Sequence, residues 1–218
     1  LASIAFGHDV QVEDVFREGI SRIKLEDLCY AAELGYAVKL LAIARRDDDG
    51  VELAVHPTMI PHGHPLASVG GAFNAVFIRG DAVGDLMLYG MGAGMMPGSA
   101  VVADCIDAAN NLIRKVSPPR EVRSNHVRVK PMDETQSRYY VRVLVVDRPG
   151  VMAAIASEFG RAQVSIESLI QKGRGQDPVS VVFVTHRACE RDMQDALRGI
   201  RALEVVHSIA SVIRVEAE

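Results

Sequence analysis

The 218-residue chain contains no tryptophan, three cysteines and little aromatic mass, 5% in all. It also lacks any unbroken apolar run approaching the roughly 18 residues needed to cross a bilayer, so no membrane span is expected. Cys29, Cys105 and Cys189 are far apart and odd in number, which argues against a disulfide framework and for a reducing, cytoplasmic setting. There is no basic excess: 24 Lys and Arg against 28 Asp and Glu give a formal net charge of −4, which argues against a nucleic-acid partner. No HExxH, CxxC, Walker or Ser/His/Asp arrangement occurs, so no complete active site is legible. The opening "LASIAFG" has no basic region leading into an apolar core, unlike a signal peptide. Its apolar residues at helical spacing read as the tail of a helix, and the chain as a fragment.

What is present suits a globular protein of one large or two modest domains, with 49% apolar and 24% charged residues. From Lys24 to Leu34, Leu25, Leu28, Cys29 and Ala32 fall at i, i+3, i+4 and i+7, which predicts a helix with those residues, Cys29 included, on its buried stripe. "YAVKLLAIARR" and "VELAVHPTMIP" flank Asp49-Gly50 and read as a hairpin. The acidic run Asp47–Asp49 is its solvated turn rather than a cation site. His56, His62 and His64 raise the question of a metal, but interleaved prolines predict an irregular extended loop, and the spacing fits no common zinc pattern. Two strands follow, joined around Gly80 to Gly84, and then a return helix over 97–115 with Val101, Cys105, Ala108 and Leu112 on a buried face.

Residues 117–137 are rich in proline and charge and read as a linker, with a short extended piece near Val127 to Val129. Residues 138–218 form a self-contained βαββαβ unit of ferredoxin-like order. Its first helix carries Pro149 at the first turn and Gly160 at the end; "KGRGQD" turns between the middle strands. Its second helix shows Met193, Ala196, Leu197 and Ile200 on one face.

Two constellations bear on chemistry. Gly90-Met91-Gly92-Ala93-Gly94 spells GxGxG rather than the GxGxxG of dinucleotide sites, and no second parallel strand with an acidic residue follows. Taken alone, it favours a tight, closely packed turn over a phosphate cradle. "DRPGV", Asp147 to Val151, precedes a helix N-terminus whose amides can receive a carboxylate while Asp147 faces an ammonium; a plain helix cap is an equal reading.

The segments "LASIAFG", "EGISRI", "ELGYAVKLLAIA", "HPLASV", "FNAVFIRGDAVGDLMLYGMGAGMMP" and "SAVVAD" together resemble bacterial homoserine dehydrogenase in order and spacing. "YYVRVLVVDRPGVMAAIASEFGRAQVSIESLIQKG" resembles an ACT domain, a small-molecule sensing module. The resemblance implies an α+β fold: part of the catalytic and dimerisation domain over 1–116, a sheet with helices on one face, then the linker and an ACT domain over 138–218. It implies NAD(P)-dependent interconversion of L-homoserine and L-aspartate 4-semialdehyde on the route to threonine and methionine, with NADP or NAD held mainly by a Rossmann domain ahead of these residues. The family's catalytic lysine corresponds to a position upstream of Leu1, so no catalytic residue is assigned and the chain alone is expected to be inactive. By position in the family, Gly94, with Gly92 and Ala93, lies against the cofactor. One departure falls there: "MMPGSAVV" is a residue shorter than the family's loop. ACT modules bind effectors between the loop after the first strand and the start of the second strand at a dimer interface, which maps to Asp147, Gly150, Val151 and Ser165. The resemblance implies threonine as effector and a homodimer built on a sheet combining the Tyr36–Pro61 hairpin with the strands near Phe73 to Tyr89. The alternative from a different class is a stand-alone amino-acid-binding regulatory and dimerisation module.

Overall fold

The computed structural model describes residues 2–7, 10–116, 128–172 and 178–216. Most of the expected linker and the "KGRGQD" turn lie outside the described residues. In chain order the elements are α1 (Ala2–Phe6), β1 (Phe16–Arg17), α2 (Leu25–Glu33), β2 (Tyr36–Asp47), β3 (Gly50–Pro61), β4 (Phe73–Gly80), β5 (Gly84–Met91), α3 (Met95–Arg114), β6 (Gln136–Val145), α4 (Val151–Arg161), β7 (Ile166–Lys172), β8 (Val179–Thr185), β9 (Ala188–Cys189), α5 (Glu190–Arg201) and β10 (Val206–Val215). They pack as two compact units, residues 1–61 with 125–218, and residues 62–124.

The first unit holds an eight-stranded sheet in the order β1-β3-β10-β6-β8-β7, with β2 also on β3 and β9 on β6. The last four full strands and two helices are the expected βαββαβ unit. It does not stand apart from the N-terminal residues: β10 pairs in parallel with β3, Arg214 opposite Thr58 and Val215 opposite Met59. Alternation along β6 divides the core between the two faces. Tyr139, Val141, Val143 and Val145 face α4 and α5, where Ile155, Phe159, Met193, Leu197 and Ile200 are buried. The face of α5 expected from its apolar spacing is the buried one. On the other side of the sheet, Tyr140 joins Val182, Ile213, Met59 and the α2 residues Tyr30 and Ala31.

That packing corrects the reading of α2. Leu25 and Leu28, expected inside, are 73% and 44% exposed, and Cys29 is exposed rather than core. The buried residues are Asp27, Tyr30 and Ala31, which lie at i, i+3 and i+4 and so form a stripe of the same period on a different face. The face is chosen by Asp27, whose carboxylate meets partners on distant strands. α4 differs more modestly: it begins at Val151 with Gly150 as N-cap, leaving Pro149 ahead of the helix, and it ends at Arg161.

β2 and β3 form the expected hairpin, in register from Tyr36–Pro61 to Asp47–Gly50. His56, Pro57 and Pro61 lie within β3, where a loop was expected; Pro57 pairs with Leu40, and the extended backbone proline prefers is also that of a strand. The acidic turn is ordered by its own chain: Asp47 Oδ1 accepts from the Asp49 and Gly50 amides, and Asp47 pairs with Lys130. Arg128 to Lys130 form the short extended piece, bridging Val51 from both sides. Gly50, at φ 146°, sits so close to that segment that a Cβ would lie 2.3 Å from the Arg128 carbonyl oxygen.

The second unit contains the β4–β5 hairpin, closed through Gly80 and Gly84, and α3. Phe73 and Tyr89 stack across it at 4.9 Å. Among the described residues, β4 and β5 form a two-stranded sheet of their own and share no strand pairing with β2 and β3. α3 runs close to the expected span, but no residue of it is buried; Val101 and Leu112 are 61% and 80% exposed, and Cys105 is exposed. An apolar period shows which face of a helix favours cover, and does not place the cover in the same chain.

Candidate functional site

The loop after β6 is built to present backbone amides. The Val146 amide donates to the Val205 carbonyl at 3.0 Å, which pins the strand end; the Arg148 amide then turns back to the Val146 carbonyl at 3.1 Å. Gly150 takes a left-handed φ of 88°, a conformation glycine adopts without penalty, and becomes the N-cap of α4 with no side chain capping the helix. Val151 is 3% exposed and anchors the first turn in the core, while Asp147 and Gly150 stay exposed. Ser165 is exposed just ahead of β7, and its carbonyl accepts from the His186 amide at 2.9 Å. Asp147, Gly150 and Val151 thus share one turn. Ser165 lies just ahead of a strand two places from β6 in the sheet, and among the described residues no hydrogen bond joins it to that turn.

In the glycine run, the three positions differ. The Gly92 amide donates to the Ala72 carbonyl at 2.9 Å, and a Cβ on Gly92 would lie 1.8 Å from Asn74 Nδ2, so that position is taken up by the Asn74 side chain. Ala93 is exposed. Gly94 takes φ 97° as the N-cap of α3, and nothing lies within 4 Å of where its Cβ would be. This is a helix N-terminus with open approach to the backbone, which fits a cofactor phosphate, whereas Gly92 serves the turn.

Two of the three histidines, His56 and His64, have ordinary partners. His56 is buried, its Nδ1 3.0 Å from Thr58 Oγ1 and 3.1 Å from the Pro57 carbonyl; burial first, then the Arg214 charge, lowers its pKa. His64 Nδ1 accepts from the Leu66 amide at 3.1 Å. Among the described residues, no three His, Cys, Asp or Glu side chains converge to hold a metal.

Apolar patterning gave no sign of two buried charge networks that tie the N-terminal residues to the βαββαβ unit. In one, the fully buried Asp27 carboxylate accepts from Arg142 Nε at 2.6 Å and Nη2 at 3.1 Å, Tyr140 Oη at 3.1 Å, Ser211 Oγ at 2.5 Å and the Lys24 amide at 2.9 Å. Burial alone pushes that carboxyl's pKa up, but the hydrogen bonds and the Arg142 charge outweigh it and hold the pKa below the ordinary value. In the other, Arg214 on β10 forks onto Glu190 Oε2 through Nε at 3.0 Å and Nη2 at 2.9 Å and reaches Glu18 at 2.9 Å. Tyr139 donates to the same Glu190 oxygen at 2.9 Å, and Arg214 lies 5.0 Å over the Phe16 ring. Burial and the adjacent carboxylates push both phenols up, so they remain donors. The available sequence signal was one arginine set inside each of two mostly apolar segments, "YYVRVLVV" of β6 and "SVIRV" of β10.

The split βαβ order defines the class of the last eighty residues: a ferredoxin-like βαββαβ unit joined through β10 to the N-terminal hairpin. Residues 1–106 match the homoserine dehydrogenase family and residues 139–205 the ACT domain family. The chain belongs with the homoserine dehydrogenases, as a C-terminal portion carrying an ACT domain. It is 41% identical over 226 residues to homoserine dehydrogenase of Pseudomonas aeruginosa, covering 99% of this chain and 52% of that protein. Against the Mycobacterium bovis homoserine dehydrogenase the identity is 41% over 227 residues, with the same shares. The crystal structure of a homoserine dehydrogenase from Thiobacillus denitrificans superposes with a TM-score of 0.90 at 39% identity, over 99% of this chain and 50% of that one. The chain therefore spans about half the length of the curated relatives it matches. No helix among the described residues is long and apolar enough to cross a membrane.

Proposed function

We propose that this chain is the regulatory and dimerising portion of a cytoplasmic homoserine dehydrogenase. In the whole protein it serves the NADP- or NAD-dependent interconversion of L-homoserine and L-aspartate 4-semialdehyde, and its ACT domain binds threonine as feedback effector. The observation that carries the reading is the run of both family matches along one chain, residues 1–106 and then 139–205. Asp147 receives the effector's ammonium, the Gly150–Val151 turn its carboxylate, and Ser165 of a second copy completes the site, which supports a homodimer. Gly94, open on the backbone, is the contact to the cofactor's phosphates; the cofactor supplies and accepts the hydride. The 1–116, 117–137 and 138–218 divisions are the functional segments in this proposal, although the described residues pack as units divided at 61 and 125.

The decisive experiment joins the chain to a homoserine dehydrogenase nucleotide-binding half and supplies homoserine and NADP. Reduced nicotinamide should form in the joined protein, not in the 218-residue chain alone. Threonine should slow the reaction, and Asp147→Ala should weaken threonine binding in calorimetry about tenfold, as expected for loss of a charged partner. Threonine binding without any turnover by the joined protein would favour the stand-alone sensor module instead.

A further inference from the structure

Both strands that meet at the Asp147–Val151 turn reach the N-terminal segment, and they do so with different stiffness. β6 enters the turn directly from Val145. β10 is tied to it where the Val146 amide donates to the Val205 carbonyl at 3.0 Å. β6 pairs with β8 without a break from Tyr140–Val184 to Val145–Val179. β10 is interrupted twice: its register against β6 steps from Val206–Val145 to Ser208–Leu144, and from Ile209–Val143 to Ser211–Arg142. His207 and Ala210 are the extra residues of two β-bulges. The sequence requires them. Val206, Ile209 and Val212 pack into the core under α4 and α5, whereas Ser211 and Ile213 face α2. A spacing of three keeps to one face of a strand only if an extra residue resets the alternation each time.

Beyond the bulges β10 is anchored elsewhere. Arg214 and Val215 pair with Thr58 and Met59 of β3, and the Glu216 amide donates to the Met59 carbonyl at 2.9 Å. β6 thus belongs mechanically to the turn and the end of β10 to the hairpin. The bulged stretch between them is where the sheet gives, since a bulge leaves ladder groups unpaired. Asp27 of α2 straddles that division. Its carboxylate takes a fork from Arg142 and a bond from Tyr140, both on β6, and a further bond from Ser211 on β10. Arg142 is 5% and Ser211 4% exposed, so neither has water to replace Asp27 if the strands shift.

We infer that Arg142 is a positioning residue that carries the state of the Asp147–Val151 turn to α2: a shift of β6 at the turn moves the guanidinium, Asp27 follows, and the β10 bulges leave the β3–β10 pairing intact. A two-pronged fork suits the task, because it fixes the direction of the carboxylate as well as its distance. The inference deepens the regulatory reading above and rests on it for the nature of the effector, while the coupling itself needs no ligand.

The test follows α2 amide resonances, Leu25 to Glu33, in the isotope-labelled 218-residue chain. Two perturbations are applied at the turn: L-threonine, and Gly150→Ala, which puts a side chain where the backbone holds φ 88°. Each should move the α2 signals together with those of residues 146–151, and threonine should move both sets with one midpoint. With Arg142→Lys, which keeps the charge but not the fork, the α2 movement should fall to about half or less while the turn still responds. In the Asp27→Ala, Arg142→Met double variant it should be lost, each response being measured against its own background. If L-threonine moves neither set, the effector reading falls, and Gly150→Ala still decides the inference. A Gly150→Ala chain whose α2 signals keep their native positions, or α2 movement that persists in the double variant, would overturn it.

Discussion

Removing the Asp27 carboxylate should cost this protein a large share of its stability. Asp27→Ala leaves Arg142, 5% exposed, as a cation without its anion, and removes the acceptor of Tyr140 and Ser211 together. Breaking one side of a buried ion pair costs about 3–5 kcal/mol, against about 5–15 kcal/mol for a whole domain. With a urea dependence of about 2–3 kcal/mol per molar, the midpoint should fall by about 1–2 M without a change in slope. Urea titration followed by near-ultraviolet circular dichroism reads this directly, since Tyr140 lies in the network. Arg142→Met on the same background should recover most of the loss, because an apolar side chain of similar length tolerates the site once the charge is gone. A midpoint shift below about 0.3 M, or a double variant no better than the single, would refute the view that the charge pair, rather than the space it fills, matters here.

Three further outcomes follow from the same geometry. Acidification should act through His56 first: its imidazole is buried and its pKa lowered below the ordinary 6.5, so the neutral form is the folded one. That contribution is fully present above pH 6.5 and is lost as pH falls from there toward the lower folded value; the urea midpoint of the native chain should drop across mild acid more than that of His56→Phe. Asp27, with its pKa lowered from 3.8, contributes a second loss only at more acid pH, as protonation proceeds below that value, and Asp27→Asn should flatten that limb. Gly92→Ala should cost no more than about 1 kcal/mol, because its methyl meets only the end of the exposed Asn74 side chain, which can change rotamer, and Asn74→Ala in the same chain should remove that cost; a single variant that melts below the double by more than this would contradict the reading.

How much of this was legible in the sequence depended on what fixed each element. α5 shows its buried face in Met193, Ala196, Leu197 and Ile200 because its buried acid, Glu190, lies on the same stripe and reinforces the face that the apolar period marks. The β2–β3 and β4–β5 hairpins were readable because their turns are local, set by Gly50 and by Gly80 with Gly84. α2 shows the opposite case. Its period was right and its face wrong, because Asp27 is held by Arg142 and Ser211, 115 and 184 residues away, and no local window contains that pairing. The parallel contact of β10 with β3 was hidden for the same reason: the last eighty residues read as independent because their own pattern is complete, while the strand that joins them to the hairpin leaves no mark in either segment. Within the candidate effector site, the glycine and the helix start were visible, and the sequence offered no distances for Ser165.

The place of β10 between β3 and β6 also bears on how the protein is made. A ribosome delivers this strand after every other strand of the sheet. Until Val206 to Val215 emerge, the hairpin and the rest of the βαββαβ unit are two half-sheets, each with a bare hydrogen-bonding edge toward the gap. The carboxylates of Asp27 and Glu190 meanwhile wait for Ser211 and Arg214, which arrive on that strand. Completion of the sheet is thus a late, single closing event, and a chain that stops ahead of Val206 should be captured by its own kind or by chaperones at those two edges.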